Sequence, residues 1–262
     1  MKDIVKDMKE AAKGGMEAIL IKQRLEKLFL ENRDNKDRYG LHASSILVPE
    51  GEFCYRAKVL SLFFKQDQGK LLPVKTLKIF QQGEAMHEKW YTLFRASGID
   101  VAIERTLWLP EYDLSFTIDA IVNILGKEYI LDVKSQSTFQ FAKAKGHPKG
   151  ETQVNFYEWA LSKYTGEKPL DGFVLVDNKD NSEIKILPVK YDPDKAAPYI
   201  ERLENIQKMK KTFIKEHKAP PRVCKDCDCK MAQKCPMRSA CWNIDKGRIK
   251  LSREERRGPG RS

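Results

Sequence analysis

Residues 114–136, LSFTIDAIVNILGKEYILDVKSQ, decide how this chain is read. Two apolar runs rich in β-branched residues flank a Gly-Lys pair, the pattern of a β-hairpin with two long strands. A two-residue turn at Gly126-Lys127 would set Asp119 opposite Lys134 and diagonal to Asp132. Side chains alternate along a strand, so Asp132 and Lys134 share a face. Ile118, Ala120, Leu131 and Val133 are then expected on the other face, toward a core. A slip of one residue would exchange the two faces.

Two carboxylates beside a lysine have a specific chemical use. Carboxylate oxygens bind a hard divalent cation, Mg²⁺ or Mn²⁺. Such a cation acidifies water and offsets charge on a phosphodiester. The lysine can orient the attacking water or stabilise the developing negative charge. Asp-x-Lys alone is more often a surface ion pair. Three other features change that weighing. His87, in GEAMHEKWY, offers a further metal ligand, and Glu104, in IERTLWL, offers support for a second metal or a lysine. Gln153 and Tyr157 are four apart on an expected helix, so they share a face. That face can meet phosphate or a base.

Outward from the hairpin, the period of the sequence alternates. Residues 1–36 read as helix, with Ile19, Leu25, Leu28 and Leu30 at helical spacing. Residues 43–52 read as loop, and 54–64 as a helix. Pro73 opens a helix that runs to Gly98. VAIERTLWL at 101–109 reads as a strand ahead of the hairpin. Helices are expected at 138–145 and 150–164, strands at 172–176 and 182–189, and a long helix at 194–217. The fold class is α/β, a mixed core with a helical front and a cysteine-rich back.

The chain has 262 residues and a formal net charge of +11, from 48 basic and 37 acidic residues. That charge favours a polyanionic partner, of which nucleic acid is the commonest. No apolar run reaches membrane-spanning length and no signal-peptide core is present, so the expectation is a cytoplasmic protein without a membrane partner. Five of the six cysteines fall in CKDCDCKMAQKCPMRSAC at 224–241. Such crowding in a cytoplasmic setting argues for metal, either zinc or an iron–sulfur cluster, rather than disulfides.

The order of these motifs resembles the PD-(D/E)xK nuclease superfamily, and within it the RecB-like exonucleases that carry an iron–sulfur cluster, including the CRISPR-associated RecB-type enzymes and their phage relatives. The matching residues are Cys54, His87, Asp119 in TIDAIV, Asp132-Val133-Lys134, Gln153 with Tyr157, and the late cysteines, spanning about residues 42–242. The resemblance implies a restriction-endonuclease-like mixed β-sheet flanked by helices. It assigns His87, Asp119, Asp132 and the carbonyl of Val133 to Mg²⁺ or Mn²⁺, and makes Lys134 the catalytic lysine. Gln153 and Tyr157 complete the catalytic set. Cys54, Cys229, Cys235 and Cys241 are implied to hold a 4Fe-4S cluster, with Cys224 and Cys227 in reserve and zinc as the other metal. Two positions depart from the family. Phe116 stands where relatives often have glycine, and Ala232 where a cluster cysteine is expected.

The expected organisation is an N-terminal helical segment (1–40), a nuclease core (41–222), a cysteine module closing onto Cys54 (223–242) and a basic, disordered tail (243–262). The expected activity is metal-dependent hydrolysis of DNA phosphodiesters at single-stranded or frayed ends. Two other readings stand beside it: a non-catalytic nucleic-acid-binding module with a structural metal, and an endonuclease or partner within a DNA-processing complex. His42, His147 and His217 are expected at the surface without a role. Trp90, Trp108, Trp159 and Trp242 are expected to serve packing.

Overall fold

The computed structural model of the protein describes residues 19–27, 40–65, 74–143 and 146–247. They fall into two units, Met1–Lys36 with Gln68–Ala85, and Asp37–Asp67 with Met86–Ser262. The smaller unit contains a helix at 19–27 (α1) and the start of a long helix, Val74–Ala96 (α4). Lys78 Nζ lies 3.9 Å from Glu26 Oε1 there. The rest of the helix expected at 1–36, and the tail from 248 onward, lie outside the described residues.

The larger unit is built on a mixed sheet of six strands flanked by helices. Its strands are β1 (Leu41–His42), β2 (Asp100–Leu109), β3 (Leu114–Ile124), β4 (Lys127–Gln136), β5 (Asp171–Asn178) and β6 (Ile184–Val189). Its shorter helices are α2 (Ala43–Ile46), α3 (Tyr55–Leu60), α5 (Thr138–Lys143), α8 (Lys230–Lys234) and α9 (Arg238–Asp245). Its longer ones are α6 (Pro148–Thr165) and α7 (Pro193–Glu216). The sheet order is β1-β3-β4-β5-β6, with β2 also paired to β3. The β4–β5 pair is parallel and crosses over through α6. The β2–β3, β3–β4 and β5–β6 pairs are antiparallel.

Local chemistry explains the boundaries. Helix α6 starts where His147 Nδ1 accepts the Gly150 N–H and Pro148 opens the first turn. It stops at Gly166, whose φ of 75° is cheap only for glycine. Asp192 caps α7 by accepting the Asp194 N–H. Residues 43–52, expected as loop, contain α2 because Ala43 and Ile46 are buried under the sheet.

Both sheet faces are covered. On one, Phe116, Ile118, Ile130, Val174 and Val176 pack with Val154, Phe156 and Tyr157 of α6 and Leu203 and Ile206 of α7. On the other, Ala120, Val122, Leu131, Val133 and Leu175 meet Met86, Trp90 and Phe94 of α4. Each fully buried Leu, Ile or Phe contributes roughly 1.5–3 kcal/mol, so these layers fix the plane on which the polar residues stand. Ile118 and Ala120 therefore lie in opposite cores, not on one face as alternation predicts. Strand β3 turns over at Asp119, beside Glu104 of β2, whose φ of 50° breaks the regular strand.

Candidate active site

The hairpin turn is displaced from its expected place. Leu125 and Gly126 form it, both at positive φ (53° and 82°), and Asn123 Oδ1 accepts the Gly126 N–H at 2.9 Å. Ala120 accordingly pairs with Leu131, and Ile124 with Lys127. Continuing that register brings Asp119 level with Asp132 rather than Lys134. Asp132 and Lys134 keep their common face, whereas Asp119, where β3 turns over, directs its carboxylate toward the β4 backbone.

The β3–β4 ladder ends at Ala120 and Leu131. Beyond it the Val133 N–H donates to Asp119 Oδ2 at 2.9 Å, so a side chain occupies the place of a strand partner. Lys134 Nζ donates to Asp132 Oδ1 at 2.6 Å. Asp132 is 1% exposed, and its Oδ2 has no hydrogen-bond partner among the described residues. Burial pushes the Asp132 carboxyl above the usual carboxylate range, Lys134 pulls it back, and Asp119 raises it again. A buried, half-satisfied carboxylate is costly unless a cation completes it.

Helix α4 brings His87 to the same place, with Nδ1 3.8 Å from Asp119 Oδ1 and 3.2 Å from the Tyr91 hydroxyl. Burial raises the Tyr91 hydroxyl well above its ordinary value, with Asp119 and Glu104 adding to the effect. Tyr91 thus stays protonated. The helix is fixed by Asp177, which accepts from Lys89 Nζ at 2.6 Å and Trp90 Nε1 at 2.7 Å.

Helix α6 contributes from the other face. Gln153 Nε2 donates to the Tyr157 hydroxyl at 3.0 Å. Burial, Asp132 and Asp119 all raise the Tyr157 hydroxyl above its ordinary range. Phe116 is fully buried with its ring 6.0 Å from that of Tyr157. His147 is half-buried as the α6 cap rather than a surface residue, and burial and Lys134 lower its pKa. Sequence reasoning missed Tyr91 and Asp177. Tyr91 is one helical turn after His87, a spacing that offered a signal. Asp177 comes from a distant strand and offered none.

Asp119, Asp132, Lys134, His87, Gln153 and Tyr157 are therefore gathered around one opening in the sheet. The oxygens of two aspartates suit Mg²⁺ or Mn²⁺, and a histidine nitrogen beside them is better tolerated by Mn²⁺ than by Mg²⁺. The unpartnered Asp132 Oδ2 is the observation that makes the set fit a cation. Val133 is tied to the set through its N–H. Among the described residues, no three or more His, Cys, Asp or Glu side chains stand together in an arrangement that could already hold a metal ion.

The cysteines sit on different supports. Cys54 precedes α3, Cys229 caps α8 and Cys235 ends it, and none of the six cysteines is in a disulfide. Burial raises the Cys224 thiol to about 12, helped by a hydrogen bond with Cys229 and by the nearby thiols of Cys54 and Cys235. Cys241 is held differently: its Sγ accepts from Arg56 Nε at 3.1 Å. Arg56 also donates to the carbonyls of Pro220 (2.6 Å) and Cys241 (2.9 Å) and pairs with Asp245 at 2.5 Å. Cys227 Sγ faces the neighbouring Asp228 carboxylate at 3.5 Å.

No family model and no curated protein matches the chain. Among solved structures, the chain is similar to one described as the crystal structure of SSO0001, at 14% identity over 85% of this chain and 96% of that one, with a TM-score of 0.44. The class defined by the fold itself is a mixed α/β protein with a six-stranded sheet flanked by helices. No helix among the described residues is long and apolar enough to cross a membrane.

Proposed function

We propose that the protein is a metal-dependent DNA exonuclease of the PD-(D/E)xK type that acts at single-stranded or frayed ends and carries a structural iron–sulfur cluster. The observation that carries this reading is the opening between β3 and β4, where Asp119 takes the Val133 N–H and Asp132, paired to Lys134, keeps a buried unpartnered oxygen. A purely structural ion pair has no need of that unsatisfied oxygen.

His87, Asp119 and Asp132 would hold Mg²⁺ or Mn²⁺. A bound divalent cation supplies Lewis acidity toward the phosphodiester and a water. Lys134 Nζ stands 2.6 Å from Asp132, where it can donate to a phosphate oxygen or orient a water. The Tyr91 hydroxyl fixes the His87 ring. The Gln153–Tyr157 pair presents an amide and a hydroxyl from the helix above the strands. For the cluster, the set favoured by the thiol environment is Cys54, Cys224, Cys229 and Cys235, with Cys224 in place of Cys241. Thiolate sulfur suits iron–sulfur or zinc equally by ligand type.

The test is degradation of end-labelled linear single-stranded DNA by anaerobically purified protein, with Mn²⁺, Mg²⁺ or EDTA. Divalent-dependent loss of label is expected, reduced at least about a hundredfold in Asp132→Ala and Lys134→Ala. Binding without cleavage in every cation would instead support the non-catalytic module. Cutting of covalently closed circles would show that ends are not required.

A further inference from the structure

Phe139 is 68% exposed, although it follows directly on the strand that carries Asp132 and Lys134. Isolated exposed apolar side chains are ordinary, so exposure alone means little. The support beneath this one is what sets it apart. Phe139 belongs to α5, and α5 is pinned at its start and on its inner face. The Thr138 N–H donates to Asp180 Oδ2 at 2.7 Å, and Thr138 Oγ1 to Asn178 Oδ1 at 3.2 Å. Phe141, two residues on and so on the opposite face of the turn, is 6% exposed within the core. Lys185 Nζ lies 4.2 Å from its ring centroid and donates to its carbonyl at 2.6 Å. Phe139 is therefore held outward by a short helix that cannot turn its ring inward without extracting Phe141.

One cation lies directly on the ring, while the nearby Asp180 carboxylate is turned to the Thr138 N–H. Lys143, four residues on, places its ammonium 3.8 Å from the centre of the Phe139 ring. Lys149, exposed near the start of α6, is close enough to Asp132 to favour its ionised form, and Lys134 lies within the site. Phe139 lies five positions after Lys134, so their Cα atoms lie within roughly 18 Å of each other. An outward aromatic ring with basic neighbours is the arrangement by which proteins grip unpaired strands, the ring taking a base and the cations the phosphates.

From this we infer that Phe139 is a base-stacking platform, and that with Lys143 it holds a nucleotide of single-stranded DNA beside the reaction centre. This inference rests on the nuclease reading and adds a substrate-binding residue to it. The Lys143 ammonium lies against the ring, leaving the rest of its exposed surface to an unpaired base and its own charge to the adjoining phosphate. A duplex keeps its bases stacked on one another and offers no such partner, so the platform selects unpaired DNA.

The experiment is fluorescence anisotropy of a labelled 12-residue oligothymidylate in EDTA, which leaves the strand uncut, with the full-length protein. A second labelled oligomer has the same phosphates and abasic sugars. Phe139→Ala should bind the thymidylate roughly 5- to 100-fold more weakly than wild type, with unchanged affinity for the abasic strand. Phe139→Tyr and Phe139→Trp should restore binding, and Phe139→Leu should not, since leucine is apolar but has no ring face. Lys143→Gln should lower the slope of log affinity against log salt by about 0.7. All variants should unfold at the wild-type temperature, because the ring is exposed. Equal thymidylate affinity in wild type and Phe139→Ala, or rescue by leucine, overturns the platform while the nuclease reading stands. A wild type that binds neither oligomer overturns both.

Discussion

Asp132 is buried and half-satisfied, so on the nuclease reading its contribution to stability and its contribution to activity would have opposite signs. Asp132→Asn should abolish cleavage while the unfolding temperature stays level or rises, read by calorimetry beside the nuclease assay. Glu158 tests burial without catalysis. It is fully buried on α6, both carboxylate oxygens lack partners among the described residues, and burial, with help from Asp171, raises its pKa to about 8. The folded protein keeps this proton over a range in which the unfolded chain, near 4.5, releases it. Its stabilising contribution is thus complete below the unfolded value and is lost as pH climbs toward 8. Glu158→Gln should match wild type near pH 4 and unfold at a higher temperature at pH 8; a constant difference across that range would contradict the assignment. At this scale the residues of the candidate site were legible because each is a short motif. Leu125 was not, since nothing in its chemistry favours the left-handed conformation it adopts in the hairpin turn.

Among the elements, α4 is the one on which the position of His87 depends. Its attachment to the sheet rests on Trp90 in the core and on Asp177, which accepts from both Lys89 and Trp90. Asp177→Ala should cost about 1–3 kcal/mol, because it strips a buried indole N–H of its acceptor. Hydrogen exchange should accelerate over 86–96, and cleavage should fall with it. Helices α4, α6 and α7 and strands β2 to β6 could be read from periodicity, each long enough for its pattern to dominate. Besides α2, two features escaped that reading. Strand β1 has only two residues, Leu41 and His42, and its parallel pairing with β3 leaves no periodic trace. The change of face at Asp119 arises from the irregular backbone of its neighbour, a relation between strands that no single strand encodes.

For the larger unit taken whole, one side chain ties the late sequence to the early sequence. Arg56 reaches Pro220, Cys241 and Asp245 at once. Arg56→Ala should cost about 3 kcal/mol and open the segment after α7 to proteases. No motif announced this role, because its partners lie 164 to 189 residues away. The cysteine region carries a separate expectation. Cys224→Ser should lose bound metal, measured as iron or zinc per chain, whereas Cys241→Ser should retain it and show only the stability loss of a broken Arg56 contact. The reverse pattern would restore Cys241 to the ligand set. On the cluster reading, stripping the metal should lower the unfolding temperature, since a shared site would link Cys54 to residues about 170 positions later.

The end of the β3–β4 ladder at Ala120 has one more implication. Asp119 withholds the Val133 N–H from the neighbouring backbone, and so keeps two strands apart that would otherwise continue to pair. The opening is in effect an interrupted seam. A sequence change that mended the seam, such as Asp119→Val, would give the sheet another rung and close the opening in the same act. If the opening is a nuclease site, selection for a sturdier sheet and selection for catalysis would pull that position in opposite directions.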